Sequence, residues 1–303
     1  MNKRSYSRRG FLGAAIAAPF IARGASRELF SIGLVADAQY ADVPDKGTRF
    51  YRASIGKLGA AVEHFNRTDL AFCVHLGDLI DREWRSFDEI TRPLSASRHR
   101  WHQLLGNHDF DVLDTEKPRV PERLGMKWRY GAFDHGGLRF VVLDTNDLST
   151  YAHPAGAPER AAAEQELARM QAAKVRQAKP WNGGVGAGQL AWLERELTAA
   201  RRSRLRVVVF AHHPVWPDND HNVWNAPEVL AVLDRHPHVV AWFNGHNHAG
   251  AFGERAGVPF VTLKGMVETT ATTAYAITRF LPDRLILEGQ GREPSRELKF
   301  RGV

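Results

Sequence analysis

From Leu29 onward, short apolar runs alternate with amphipathic stretches. LFSIGLVA (29–36), LAFCVHL (70–76), WHQLL (101–105), LRFVVLD (138–144), RVVVFA (206–211) and VVAWFN (239–244) are short, largely apolar segments, several rich in β-branched residues, as expected of buried strands. Between the first two, TRFYRASIGKLGAAVEHFNR repeats Ile55, Leu58, Val62 and Phe65 at helical spacing. GQLAWLERELTAA does the same with Leu190, Leu193 and Leu197. Strands alternating with helices predict an α/β fold assembled from βαβ units. Near the end the rhythm changes: VPFVTLKG, TTAYAITRF and RLILEGQG read as successive strands that extend or close a sheet. No internal repeat is evident.

Residues 147–186 interrupt the alternation. The stretch is loop-like at both ends and Ala-rich between, and it predicts an exposed helix over Glu164–Ala178 anchored by Leu167 and Met170. A long insertion of this kind is either a lid or binding loop or a surface excursion, and the sequence leaves both open.

The first 26 residues lack the pattern of the rest and read as a processing signal. A basic start, NKRSYSRRGF, leads into the short apolar run GFLGAAIAAPFIA and then Arg23-Gly24-Ala25-Ser26, small residues suited to cleavage. A membrane span needs about 20 apolar residues, and Pro19 interrupts this shorter run, so no stable membrane anchor is expected. Arg8-Arg9 followed by Gly10-Phe11-Leu12 resembles a twin-arginine export signal. That resemblance implies engagement of the twin-arginine export machinery, delivery to the periplasm or medium, and loading of any metal before export. Residues 27–303 are then one domain.

Composition adds limits. A chain of 303 residues with 44% hydrophobic and 25% charged residues is that of an ordinary globular protein. The net charge of +7 would suggest a nucleic-acid partner. However, Lys3, Arg4, Arg8, Arg9 and Arg23 lie before residue 25, where there is no acid, and setting these five aside lowers +7 to +2. The cluster Arg201-Arg202-Ser203-Arg204 follows a predicted helix, where basic residues complement the dipole. No nucleic-acid partner is therefore expected. The single Cys73 excludes an internal disulfide and belongs in the apolar strand LAFCVHL.

Five polar clusters follow predicted strands: Asp37-Ala-Gln39, Gly77-Asp78-Leu-Ile-Asp81, Gly106-Asn107-His108-Asp109, His212-His213-Pro214 and Gly245-His246-Asn247-His248. Each alone is an ordinary loop. Together they place Asp, Asn, His and Gln side chains at one crevice, because the strand ends of an α/β fold converge. So many polar groups need partners, and ions supply them. A two-metal site is the economical reading.

In this order the clusters resemble the signature of the calcineurin-like metallophosphoesterases: D-x-[HQ], G-D-x-x-D, G-N-H-[DE], H-x-P and G-H-x-H. The resemblance runs from about Leu29 to the C-terminus. It implies a sandwich of two packed mixed β-sheets flanked by helices, with the metals at strand C-terminal ends. It also implies that Asp78 bridges two divalent ions, with Asp37, Gln39 and His248 completing one site and Asn107, His212 and His246 the other. His213 falls to a neighbouring role. By the same resemblance His108 binds no metal but faces the substrate and stabilises or protonates the leaving oxygen, with Asp81, rather than Asp109, orienting its ring. Two divalent ions against two carboxylates leave a cationic site suited to phosphate, and two-metal hydrolases clamp the attacking and leaving oxygens of an in-line displacement.

Further stretches, IGLVADAQYAD, YRAS, NGGVGAGQLAWLERELTAA, NVWNAPEVLAVL, LKGMVETT and LEGQGREPSREL, resemble the manganese-dependent ADP-ribose/CDP-alcohol diphosphatases. They imply hydrolysis of a nucleoside diphosphate linked to a sugar or alcohol, giving a nucleoside monophosphate and a phosphorylated product. Gln39 would bind through an amide oxygen. Oxygen donors suit manganese or magnesium and imidazole suits zinc or iron, so this residue favours manganese. A cyclic-nucleotide phosphodiesterase, a broad phosphomonoesterase and a non-catalytic module of the same fold are the competing readings. Tyr40, Trp181, Trp216 and Trp224 are candidates to stack a base, and Lys264 and Arg292 to meet phosphate or ribose. Histidines outside the five clusters, His75 and His221 among them, read as structural or exposed.

Overall fold

A computed structural model describes residues 27–301. In chain order the strands are β1 (Phe30–Val35), β2 (Phe72–His75), β3 (Trp101–Gln103), β4 (Gly131–His135), β5 (Leu138–Val142), β6 (Arg206–Phe210), β7 (Val239–Asn244), β8 (Ala251–Arg255), β9 (Val258–Thr262), β10 (Ala274–Phe280), β11 (Arg284–Gly291) and β12 (Arg296–Lys299). The helices are α1 (Ser54–Asn66), α2 (Ser86–Ser95), α3 (Val120–Arg123), α4 (Pro158–Ala172), α5 (Ala187–Arg202) and α6 (Ala226–Asp234). The strands form two six-stranded sheets, ordered β12-β11-β10-β1-β2-β3 and β4-β5-β6-β7-β9-β8. In the first, β1, β2 and β3 are parallel and β10 runs antiparallel to β1. In the second, β5, β6, β7 and β9 are parallel, with antiparallel strands β4 and β8 at the two edges.

The sheets bury a shared apolar layer. Ile32, Leu34, Phe72 and Val74 of the first meet Phe140, Phe210 and Phe243 of the second. The outer face of the first sheet is covered by Leu58, Ala61 and Phe65 of α1 and Phe87 and Ile90 of α2. The outer face of the second is covered by Leu193 and Leu197 of α5 and Val229 and Leu233 of α6. Central parallel strands are thus buried on both faces, which is why they read as continuous apolar runs rather than alternating ones. Cys73 is buried in β2, as its apolar neighbours suggested.

The two packed mixed sheets agree with the fold the resemblance implied. Strands β4, β8 and β12 and helices α2, α3 and α6 were not anticipated. The first three lie on sheet edges and are partly exposed, and α2 carries Pro93 and buries only Ser86, Phe87 and Ile90. The insertion helix differs in its limits. It begins at Pro158, which suits a first helical turn, rather than at Glu164. It stops at Ala172 because Lys174 takes a left-handed conformation (φ 55°) and the Val175 N–H closes back on the Met170 carbonyl. Among the described residues no helix is long and apolar enough to cross a membrane. The export segment expected over residues 1–26 lies outside the described residues.

Candidate active site

The parallel strands deliver the five polar clusters to one place. Asp37 and Gln39 follow β1, Asp78 and Asp81 follow β2, Asn107 and His108 follow β3, His212 follows β6, and His246 and His248 follow β7. Beyond their strands the first two loops stay paired: Asp37 N–H donates to the Gly77 carbonyl at 3.2 Å and Gln39 N–H to that of Asp78 at 2.9 Å. Four of these residues are held in the left-handed region, at φ 52° for Asp37, 43° for Gln39, 58° for Asp78 and 70° for His246. Non-glycine residues avoid this region, and strain of this kind collects where side chains must be aimed. Glycine is required beside them, since a Cβ on Gly245 would lie 2.6 Å from Asp37 Oδ2 and one on Gly106 would collide with Asp78. Asp109 secures the turn, its buried carboxylate accepting the N–H groups of Asp78 (3.0 Å), Leu79 (2.9 Å) and Gly106 (2.8 Å).

The side chains leave their lone pairs facing one another. Asp78 Oδ1 accepts the His108 N–H at 2.7 Å, so Oδ2 is the oxygen that meets Gln39 Nε2 at 2.9 Å and lies 3.3 Å from His212 Nε2. His212 Nδ1 donates to the Leu76 carbonyl at 2.8 Å, which leaves Nε2 directed at Asp78 and at Asn107 Oδ1, 3.2 Å away. His248 Nδ1 donates to Glu268 Oε1 at 2.7 Å, leaving Nε2 3.8 Å from Asp37 Oδ1. His246 Nε2 donates to Asn182 Oδ1 at 2.8 Å, leaving Nδ1 free. Each of these rings therefore has one nitrogen spent on a fixed acceptor and the other available, the arrangement that suits a metal-binding imidazole. His213 differs, with Nδ1 2.7 Å from Thr145 Oγ1 and Nε2 3.4 Å from the Trp181 carbonyl, and so stays a neighbour.

This donor set fits divalent cations. Gln39 Oε1 is buried with no partner among the described residues, an orphan that a cation would satisfy. Asp37, Asp78 and His248 bring ligand atoms within 4.8 Å of one another; His212 and His246 do so in a group with His213, whose own nitrogens are already engaged. Burial pushes the Asp37 carboxyl up, with His248 and His212 opposing it. Burial acts the same way on Asp78, but the His212 and His108 rings and the hydrogen bonds from His212 and Gln39 hold its carboxyl well below the usual range. Burial lowers His212, whereas the charge and hydrogen bond of Asp78 outweigh it and raise the ring to about 9. Burial, with His213 and His212 beside it, drives His246 far below its ordinary value. Two buried carboxylates, Asp37 and Asp78, call for positive charge beside them.

A cleft of about 350 Å³ opens over these groups. Gln39, Asp78, Asn107, His246 and His248 line it together with Arg49, His108, Trp181 and His221. His108 meets Asp81 as the sequence suggested, but its closer partner is the backbone carbonyl: Nδ1 lies 3.1 Å from that oxygen and 3.5 Å from the carboxylate. The other carboxylate oxygen pairs with Arg82 Nε at 2.7 Å.

Of the residues suggested for substrate recognition, only Trp181 lines the cleft, 45% exposed at its edge. Trp224 is core, packed with Leu167 and Met170, and donates Nε1 to the Lys179 carbonyl. Tyr40 is buried in the outer core of the first sheet, and Trp216 lies in a separate groove beneath Arg255. Arg292 donates to the Gly265 carbonyl, and neither it nor Lys264 lines the cleft.

Several residues of the site escaped the sequence reading: Arg49, His221, Asn182, Glu268 and Lys57. Asn182 and Trp181 come from the end of the 147–186 insertion, whose last residues therefore reach the site, while its helix α4 packs Leu167 and Met170 against Trp224. Lys57 Nζ, on α1, shares its three N–H groups among the carbonyls of Met266 (2.9 Å), Val267 (3.2 Å), Glu268 (3.1 Å) and Thr269 (2.5 Å). It pins the segment that carries Glu268. The signals were present: Arg49, Lys57 and Glu268 fall in or beside the quoted stretches TRFYRASIGKLGAAVEHFNR and LKGMVETT, but lone charges give no hint of their distant partners.

Residues 30–250 match the family described as calcineurin-like phosphoesterase. The manganese-dependent ADP-ribose/CDP-alcohol diphosphatase of Bos taurus is 30% identical over 91% of this chain and 96% of its own length. The Arabidopsis thaliana protein of the same name is 29% identical over 91% of this chain and 98% of its own. A solved dimetal phosphatase from Danio rerio superposes with a TM-score of 0.82 at 27% identity, over 90% of this chain and 100% of that one.

Proposed function

The chain belongs to the calcineurin-like phosphoesterase family, and from that membership we propose that it hydrolyses the pyrophosphate of nucleoside diphosphates joined to a sugar or an alcohol, with manganese as its metal. The observation that carries the reading is one cleft that brings His108 beside a cluster of carboxylate, amide and imidazole donors. His108 faces a cleft over the Asp37, Gln39, Asp78, Asn107, His212, His246 and His248 donors, in a chain that matches diphosphatases along nearly their whole length. The first cation would be held by Asp37, Gln39 and His248 and the second by Asn107, His212 and His246, with Asp78 shared. When bound, such ions neutralise the phosphate and activate water.

The chain's own groups account for the rest. Water oxygen bonds to one phosphorus and the P–O bond of the bridge breaks. The bridging oxygen leaves with that bond's electron pair on the second phosphate. His108 supplies a proton to it from Nε2, while Nδ1–H is held by the Asp81 carbonyl and faces the Asp81 carboxylate. The proton lost by water returns the ring to its starting state. Trp181 offers an aromatic face at the cleft edge for the base.

The test is turnover of ADP-ribose, CDP-choline, cyclic AMP and p-nitrophenyl phosphate with manganese. ADP-ribose should give AMP and ribose 5-phosphate, and CDP-choline should give CMP and phosphocholine. Much faster turnover of cyclic AMP or the monoester would replace this reading with the phosphodiesterase or monoesterase alternative. We also propose that residues 1–26 direct twin-arginine export to the periplasm. The basis is Arg8-Arg9 ahead of the short apolar run. A reporter fused to these residues should lose export when both arginines become lysine.

A further inference from the structure

We propose that Arg49 binds the phosphate that is not attacked, and that it is this contact that fits the site to a diphosphate rather than to a single phosphate. The inference rests on the function proposed above and assigns a residue to the second half of that substrate.

Arg49 stands where such a phosphate must be. It lines the cleft with its side chain 36% exposed, and its Nη1 lies 3.5 Å from His108 Nε2, the nitrogen that faces the leaving oxygen. In a pyrophosphate the leaving oxygen belongs to a second phosphate, which carries its own negative charge. In a simple ester it belongs to an alcohol. A cation one contact beyond His108 therefore has a role with the first substrate and little with the second. The guanidinium is also incompletely neutralised by the protein. Among the described residues its one carboxylate partner is Asp81, with Oδ1 3.8 Å away, and that carboxylate gives its other oxygen to Arg82. A planar fork of donors with spare charge is well suited to phosphate oxygens.

The backbone beneath Arg49 is fixed in advance. Arg49 and Lys46 exchange N–H···O bonds at 3.0 and 3.1 Å, the Phe50 N–H donates to the Val267 carbonyl at 3.0 Å, and the Thr269 N–H donates to that of Thr48 at 3.0 Å. Lys57 clamps this same 266–269 segment through four carbonyls. One scaffold thus carries Glu268, which orients His248, and Arg49, which reaches the opposite side of the cleft. Substrate entry exchanges the long contact to His108 for charge-assisted bonds to phosphate. His108 Nε2 is then free to carry its proton.

The experiment compares the manganese-loaded wild type, Arg49→Gln and Arg49→Lys on ADP-ribose and on bis(p-nitrophenyl) phosphate, which has one phosphorus. Arg49→Gln should lower kcat/KM for ADP-ribose at least about 30-fold and for the diester less than about 3-fold, given the strength of charge-assisted bonds. Arg49→Lys should recover part of the loss. Manganese content and melting temperature should match the wild type, which separates the effect from misfolding. Equal losses on both substrates, or no loss on ADP-ribose by an active wild type, would overturn the assignment of Arg49 alone. A wild type that cleaves the diester but neither ADP-ribose nor CDP-choline would overturn the functional reading and this assignment with it.

Discussion

Gln39 donates through Nε2 to Asp78 Oδ2 at 2.9 Å while its Oε1 stays buried without a partner among the described residues. One amide thus steadies the carboxylate proposed to be shared by both cations and offers a hard oxygen to one of them. A histidine here would replace that oxygen with a nitrogen, a donor better suited to zinc or iron. Gln39→His should therefore shift preference from manganese toward zinc or iron, read by competitive metal loading and elemental analysis. An unaltered metal profile would count against the role given to the amide.

Replacing His108 with alanine should reduce kcat by about 10²–10⁴-fold, the usual contribution of a positioned proton donor, with bound manganese unchanged. Asp81→Asn should cost much less, within about 10-fold. The nearest acceptor for His108 Nδ1 is the Asp81 carbonyl, which that substitution keeps. Comparable losses in the two variants would mean that the carboxylate does the orienting.

Asn182 and Glu268 each hold the far nitrogen of a candidate metal-binding histidine. Asn182→Leu and Glu268→Gln should each weaken manganese binding by about 10–100-fold, measured by calorimetric titration of the metal-free protein. Affinities equal to wild type would remove these residues from the support of the site.

His75 is fully buried on β2, and neither ring nitrogen has a partner among the described residues. Burial lowers its pKa to about 3, against an ordinary value of 6.5. The unfolded chain therefore takes up a proton there first as pH falls. Stability present above pH 6.5 should be lost toward pH 3, by at most about 1.4 kcal/mol per pH unit from this residue. His75→Leu should flatten that part of the stability profile in urea titrations of the metal-free protein. Identical acid profiles for variant and wild type would show that the ring is not the cause.

Two tryptophans separate substrate binding from stability. Trp181→Ala should raise KM for ADP-ribose with little change in melting temperature, because the ring stands at the open edge of the cleft. Trp224→Ala should destabilise by about 3–5 kcal/mol, as expected for loss of a large core side chain, measured by denaturant unfolding. A reversal of these effects would exchange their roles.

Four of the five polar clusters were legible because they follow strands buried on both faces, β1, β2, β6 and β7, so the apolar runs announced both the strand and its end; the fifth follows β3, a short, half-buried edge strand, and was marked by the residues Gly106-Asn107-His108-Asp109 themselves. Edge strands such as β12, where Leu298 is the one buried residue, leave too faint a pattern. The supporting groups were illegible for a different reason. Asn182 and His246 are 64 residues apart, and Lys57 serves carbonyls more than 200 residues away. An amide in an Ala-rich insertion and a lysine on an amphipathic helix look like any others until the chain is folded. Nor does composition distinguish Trp181 from Trp224, one at the cleft and one in the core.

The left-handed turns at Asp37, Gln39, Asp78 and His246 bear on attempts to transplant this chemistry. Grafting the same seven donor side chains onto another parallel sheet would place them at the right strand ends, pointing the wrong way. What has to be inherited is the set of reversed turns, together with Gly106 and Gly245, whose missing side chains make room for the carboxylates. A designer who copied the residues would reproduce the parts list, while the aim resides in the backbone.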